Sequence, residues 1–266
     1  MKKGLKIYDP FQVAALRITI AAIGLSPFAI LAFREKPLDQ YPWTKIILTG
    51  LMGTGIPAFL FPYAQKHLDS TTAGILNSLT PLFTMIIGLL WLKESIPLKR
   101  LIGLGLGLAG AAVLVSQKPS GQSAIHPEYG LLIVIATILY GLNINIVRKY
   151  LPDFSSKSLP ALSLGALAPF AFFYLMTTDF TVRLQSEGGM EALGFITILS
   201  ILGTSAGSIL FYHLVQKEGP VFATSGIYLI PVVALLWGVW DHETLGFGHL
   251  MGLLGVLSGV WLVNQR

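Results

Sequence analysis

Residues 69–115, DSTTAGILNSLTPLFTMIIGLLWLKESIPLKRLIGLGLGLAGAAVLV, decide the fold of this chain. Two apolar runs, about 71–92 and 100–116, flank the basic connector 93–100. Each is about as long as the roughly 17–25 residues that cross about 30 Å of hydrocarbon as a helix. Working outward, the same reading finds further runs at about 11–33, 45–65, 129–147, 158–177, 192–214, 221–240 and 246–264, nine in all. The whole chain, 266 residues, is 53% hydrophobic and 12% charged with mean hydropathy +0.70, against about a quarter charged for a soluble domain. A lipid bilayer is the expected surroundings, and an all-α, polytopic transmembrane helical bundle the expected fold class.

The absence of cysteine excludes a disulfide framework, a thiolate zinc site, an iron–sulfur cluster and a cysteine nucleophile. A net charge of +5 could suggest a nucleic-acid partner, but the bases sit between apolar runs rather than on one soluble face, so no nucleic acid is expected. Instead they alternate. Arg34, Lys36, Lys45, Lys93, Lys99, Arg100, Arg148, Lys149, Lys157, Lys217 and Arg266 fall on one set of connectors, and Lys66, Lys118 and Arg183 on the other. The positive-inside rule makes the first set cytoplasmic, with the C-terminus inside, and leaves Lys2, Lys3 and Lys6 on the wrong side. The opening MKKGLK resembles a signal peptide only superficially, and no processing is expected. Trp43, Trp91 and Trp240 sit at run ends, as interfacial aromatics do.

The chain repeats itself. Gly53-Thr54 and Leu60-Phe61 recur as Gly203-Thr204 and Leu210-Phe211, and Ala73, Pro81 and Gly88 as Ala223, Pro231 and Gly238. Glu94, Gly103, Leu104, Leu108 and Gly110 match Glu243, Gly252, Leu253, Leu257 and Gly259, while Leu25–Ala29 matches Leu167–Ala171. Two repeats follow, 1–118 and 126–266, joined by a linker at 119–125. The run 129–147 has no partner, so the expected parent is a five-plus-five repeat whose first helix would precede Met1. That reads as a late start, a shortened chain or a true nine-span form. Because five is odd, the second copy enters the membrane inverted.

The runs 14–28, AALRITIAAIGLSPF, and above all 69–115, with the looser copy at 222–263, resemble the drug/metabolite transporter superfamily, specifically its ten-helix EamA-like members. That resemblance implies a secondary carrier of small organic metabolites, such as amino acids or related compounds, working in the cell membrane and mostly as an exporter.

Polar groups within apolar runs are the default site candidates, because lipid makes them costly. Arg17, roughly 9 Å into its run by helical rise, could attract an anionic or zwitterionic substrate or snorkel to the interface. Proline frees a carbonyl, so Asn77, Ser78 and Thr80 before Pro81, and Thr224, Ser225 and Tyr228 before Pro231, mark paired breaks that could bind substrate or merely kink. Tyr140 and Asn143 share a face of the unpartnered helix while Asn145 points elsewhere; interhelical hydrogen bonding is the competing role. His213 and His249 could titrate near neutrality or simply pack. Glu94 and Glu243 read as structural turn residues.

Gly105–Gly110 formally matches a dinucleotide fingerprint, but it lies inside an apolar run and serves helix packing. The glycine faces of 100–116 and 246–264 are expected to form a scaffold or a homodimer surface. No metal, cofactor or catalytic residue is expected, and so no enzyme. The function expected is a secondary transporter that exports metabolites by alternating access; the alternative is a non-transporting scaffold or an inactive fragment of such a carrier.

Overall fold

Asp9 opens the first long helix. Its carboxylate accepts from the Phe11 amide at 2.9 Å, the Gln12 side-chain carbonyl accepts from the Asp9 amide at 3.1 Å, and Pro10 occupies the first helical position, where no amide is needed. The computed structural model describes residues 4–68, 70–93, 97–116, 127–228, 233 and 247–264. Glu94, Pro231, Trp240, Glu243, the linker 119–125 and the bases Lys2, Lys3, Lys118 and Arg266 lie outside the described residues, as do the side chains of Ser225, Tyr228 and His249.

The helices are α1 (Pro10–Glu35), α2 (Trp43–Gln65), α3 (Ser70–Asn77), α4 (Thr80–Leu92), α5 (Leu98–Ser116), α6 (Pro127–Tyr150), α7 (Ser158–Met176), α8 (Phe180–Gln185), α9 (Gly189–Glu218), α10 (Pro220–Ser225) and α11 (Phe247–Asn264). No strand occurs among the described residues. Five described helices have both the length and the apolarity of a membrane span. The expected run 71–92 is instead divided into α3 and α4, for a reason that lies at Pro81. Large apolar side chains cover the outside: Phe170 is 76% exposed, Leu90 74% and Phe247 77%. Such a surface suits lipid and not water.

The chain forms two compact units. The first joins residues up to Lys66 with Ile146–Lys217, hence α1, α2, α7, α8, α9 and the end of α6. Its core is α1 on α7. Val13, Ala14, Ala21 and Leu25 are buried with Ala161, Leu164, Ala171 and Leu175, and the alanines among them let the helices approach. The two run antiparallel: Gln12, near the start of α1, bonds Thr178 just past the end of α7, while Lys157, at the start of α7, lies 5.7 Å from the Phe28 ring. By the sequence repeat, α7 is the copy of α1.

A polar clasp closes the Gln12 end. The Gln12 amide nitrogen donates to Thr178 Oγ1 at 3.0 Å and to Asp179 Oδ1 at 2.7 Å, and Arg183 Nε donates to Asp179 Oδ2 at 2.8 Å. Arg183 also donates to the Ile7 carbonyl at 2.9 Å, and the Tyr8 hydroxyl to the Gly189 carbonyl at 2.9 Å. The Arg183 hydrogen bond holds the Asp179 carboxyl below its ordinary value; partial desolvation opposes this and Gln12 adds to it.

The second unit joins His67–Asn145 with Glu218–Arg266, hence α3, α4, α5, most of α6, α10 and α11. Its tightest contact is α5 on α11, again a helix on its own copy and again antiparallel. A Cβ on Gly103 would lie 2.8 Å from the Gly259 carbonyl oxygen, and one on Gly110 would lie 2.5 Å from the Val256 nitrogen and 2.7 Å from the Gly252 oxygen. The two glycine faces are therefore spent on each other, which gives them the scaffold role of the two expected. Gly105, the first glycine of the false fingerprint, has nothing within 4 Å of its would-be Cβ.

Gly110→Ala should cost about 1–3 kcal/mol by overpacking and lower the apparent Tm in detergent by roughly 2–12 °C. Gly105→Ala should leave it unchanged or raise it slightly; equal effects would contradict the packing. For the clasp, a depressed native carboxyl contributes stability above its ordinary value of 3.8 and loses it as pH falls below that. A melting series should show acid destabilisation starting below about pH 4, and Asp179→Asn should remove that component.

Candidate functional site

In the second unit the polar residues before Pro81 form a connected ladder. Proline has no amide hydrogen, so the carbonyl four residues back, that of Asn77, loses its helical donor. Thr80 replaces it: its hydroxyl donates to the Asn77 carbonyl at 2.8 Å and lies 3.4 Å from the Asn77 side-chain oxygen. One turn on, the Thr84 hydroxyl donates to the Thr80 carbonyl at 2.8 Å. Ser78, Thr80 and Thr84 are all buried. The expected exposed carbonyl is thus capped by a neighbour, and the break between α3 and α4 is stable in a low-dielectric setting.

The helix without a sequence partner, α6, docks on this ladder. Gly141 meets the Phe83–Thr84 backbone so closely that a Cβ would lie 2.9 Å from both Phe83 C and Thr84 N. Asn145 then donates to the Thr84 carbonyl at 3.0 Å and to the Gly141 carbonyl at 2.8 Å. Asn145 does point away from Asn143, and where it points is the interhelical bond that fastens α6 to α4. Asn143 is buried and Tyr140 half-buried. At the outset of α6, the Tyr129 ring stacks on His67 at 4.0 Å. In α10 the buried Thr224 hydroxyl donates to the Pro220 carbonyl at 2.8 Å.

The first unit holds Arg17. Half-buried in α1, it donates to Thr204 Oγ1 at 3.3 Å. Thr204 belongs to a π-helical stretch, Leu199–Ala206, in the middle of α9, and a second such stretch, Leu51–Gly55, interrupts α2. Ser200, Thr204 and Ser205 are buried, and the Ser205 hydroxyl donates to the carbonyls of Ala21 at 3.1 Å and Ser200 at 3.2 Å. His213 is exposed on α9, so it is not the packed histidine of the simpler expectation.

The structure thus brings Asn77, Thr80 and Pro81 together within one unit, with Asn143, Tyr140 and Thr224 on neighbouring helices of that unit, and gives Arg17 a separate partner in the other. Sequence reasoning offered interhelical hydrogen bonding for the polar residues of α6 without assigning it to Asn145, and missed the Gln12–Asp179 clasp and both π-helical stretches. The repeated Gly-Thr pair at 53 and 203 was the signal available for the last of these. Among the described residues, no group of three His, Asp or Glu side chains comes together that could hold a metal.

Apolar helices clad in exposed aromatics and aliphatics, with a capped proline break among them, define a polytopic helical membrane protein. The chain belongs to the EamA-like transporter family, whose sequence profile matches it twice, over residues 1–116 and 129–265. It is 25% identical to an uncharacterized transporter of Archaeoglobus fulgidus, covering all of this chain and 92% of that one. It is 26% identical to the uncharacterized inner membrane transporter YedA of Escherichia coli, over 98% of this chain and 83% of that one. A protein of Streptantibioticus cattleyicolor named "Probable terminal-alkyne amino-acid exporter" is 22% identical, over 100% of this chain and 88% of its own length. A solved crystal structure, 19% identical, superposes with a TM-score of 0.70 over 99% of this chain and 90% of that one, and shares the fold.

If Thr80 supplies the donor that Pro81 lacks, Thr80→Val should destabilise the protein by about 1–3 kcal/mol, the cost of one orphaned buried acceptor. Thr80→Ser should retain stability, and Thr80→Val combined with Pro81→Ala, which restores the amide, should recover most of the loss. Thermal melts of the four proteins decide this; a double variant no better than Thr80→Val would contradict it.

Proposed function

We propose that this transporter exports small organic metabolites, amino acids or related compounds, across the cell membrane by alternating access, and that it is not an enzyme. The family membership carries the reading, and the amino-acid exporter named among its relatives favours that substrate class. In this account the two repeats, 1–118 and 126–266, are inverted copies that rock about a midplane site, with the C-terminus in the cytoplasm. Arg17, Asn77, Thr80, Pro81, Tyr140, Asn143, Thr224, Tyr228 and Pro231 line the substrate path, and Glu94 and Glu243 shape the turns.

Each role follows from chemistry. Arg17 supplies a fixed positive charge for a carboxylate, worth about 1.5–3 kcal/mol per charged hydrogen bond. Capped backbone at the Pro81 break permits bending there without leaving a bare polar group in lipid. The scaffold α5–α11 packs its glycine faces on each other, so a homodimer would have to use another surface.

Counterflow of radiolabelled L-amino acids, organic acids, nucleosides and organic cations into proteoliposomes tests this. Accelerated uptake of at least one amino acid is expected. Folded protein that exchanges none of the panel would favour the non-transporting scaffold. For the transported carboxylate, Arg17→Gln should raise KM by about 10- to 100-fold while uptake of uncharged compounds is unaltered.

A further inference from the structure

The two π-helical stretches occupy equivalent places in the repeats. Leu51–Gly55 lies in the middle of α2 and Leu199–Ala206 in the middle of α9, and the pair Gly53-Thr54 recurs within the second as Gly203-Thr204. A π turn carries an extra residue and a widened backbone, and such turns collect at functional positions because they can be gained or lost without unwinding the helix.

The stretch in α9 is gripped by α1. Gly24 brings the α1 backbone onto it: a Cβ there would meet Ile201 Cδ1 at 2.6 Å and Ser205 Oγ at 3.2 Å. Ser205 bridges the Ala21 carbonyl of α1 and the Ser200 carbonyl five residues back, the spacing of one π turn. Arg17, one helical turn before Ala21, holds Thr204. The π geometry thereby turns Ser200, Thr204 and Ser205 all toward the interior, with exposures of 0%, 5% and 5%.

The bond from Arg17 to Thr204 is the weak member of this grip. At 3.3 Å it is long for a hydrogen bond, and its acceptor is a neutral hydroxyl. A carboxylate offers the guanidinium two parallel, charge-assisted bonds, each roughly twice as strong as a neutral one. We propose that Arg17 and Thr204 form a carboxylate-operated latch on the α9 π turn. A carboxylate-bearing substrate takes the guanidinium from Thr204, and the turn, released, rewinds or slides along α9. The proposal rests on the carrier reading for its ligand and adds the moving part that the ligand operates. No covalent step is involved.

Amide hydrogen exchange of the full-length protein in nanodiscs, followed on peptides spanning 199–206, tests the latch. An equimolar millimolar mixture of neutral L-amino acids should speed exchange there by about three- to tenfold, the effect of losing one hydrogen bond, and the matching amino-acid amides should not. Arg17→Gln should exchange fast without ligand and respond to neither mixture. Thr204→Val, nearly isosteric, should do the same and serves where Arg17→Gln fails to fold. Wild-type exchange in both variants, equal acceleration by acids and amides, or no response to either mixture would each overturn the proposal. Counterflow on the same preparation separates the two readings: accelerated exchange without transport retains the latch and defeats the carrier, and transport with unaltered exchange does the reverse.

Discussion

The contact on which the structure rests is glycine backbone against glycine backbone between α5 and α11. In lipid there is no hydrophobic force to join two apolar helices, so association depends on close van der Waals packing and satisfied polar groups. Gly103, Gly110, Gly255 and Gly259 allow an approach that a single added methyl would block. The first unit repeats the solution with alanine in place of glycine along α1 and α7. In both units a helix packs antiparallel on its own sequence copy. This is the arrangement expected when two copies of one unit enter a membrane from opposite sides.

Outside those two pairs the backbone departs from a plain α-helix. α3 and α4 meet at a proline break whose orphaned carbonyl is capped by Thr80, and α2 and α9 carry π turns. At the proline break Thr80 caps the freed carbonyl, and in α9 Ser205 bonds its own helix and α1, so these departures keep polar groups satisfied among apolar helices. Asn145 ties the partnerless helix α6 to the first of these departures, and Arg17 ties α1 to the last.

Much of this was legible in the residues. Run length outlined the described long helices, and the offsets between Gly53-Thr54 and Gly203-Thr204 or Pro81 and Pro231 exposed the duplication. Arg17 stood out because a charge in an apolar run is costly. The cap at Asn77 follows from counting four residues back from Pro81, although run length alone gave one helix where there are two. Asn145 was not legible, since its direction acquires meaning only once Gly141 has set α6 against Thr84. Nor was the choice between scaffold and dimer for the glycine faces, because the pattern of small residues is the same whichever helix covers it. The π turn in α9 accompanies the bonds from Ser205 to its own helix and to Ala21, a tertiary setting that the repeated Gly-Thr pair marks without specifying.

The central claim, that the chain is built from a unit and its inverted copy, is tested most directly by sidedness. The chain has no cysteine, so Asp39→Cys and Glu187→Cys each introduce one thiol, at exposed positions on the connectors that follow α1 and its copy α7. A membrane-impermeant maleimide applied to intact cells should label position 187 and leave position 39 untouched until the membrane is opened. Labelling of both positions from the same side would contradict the account.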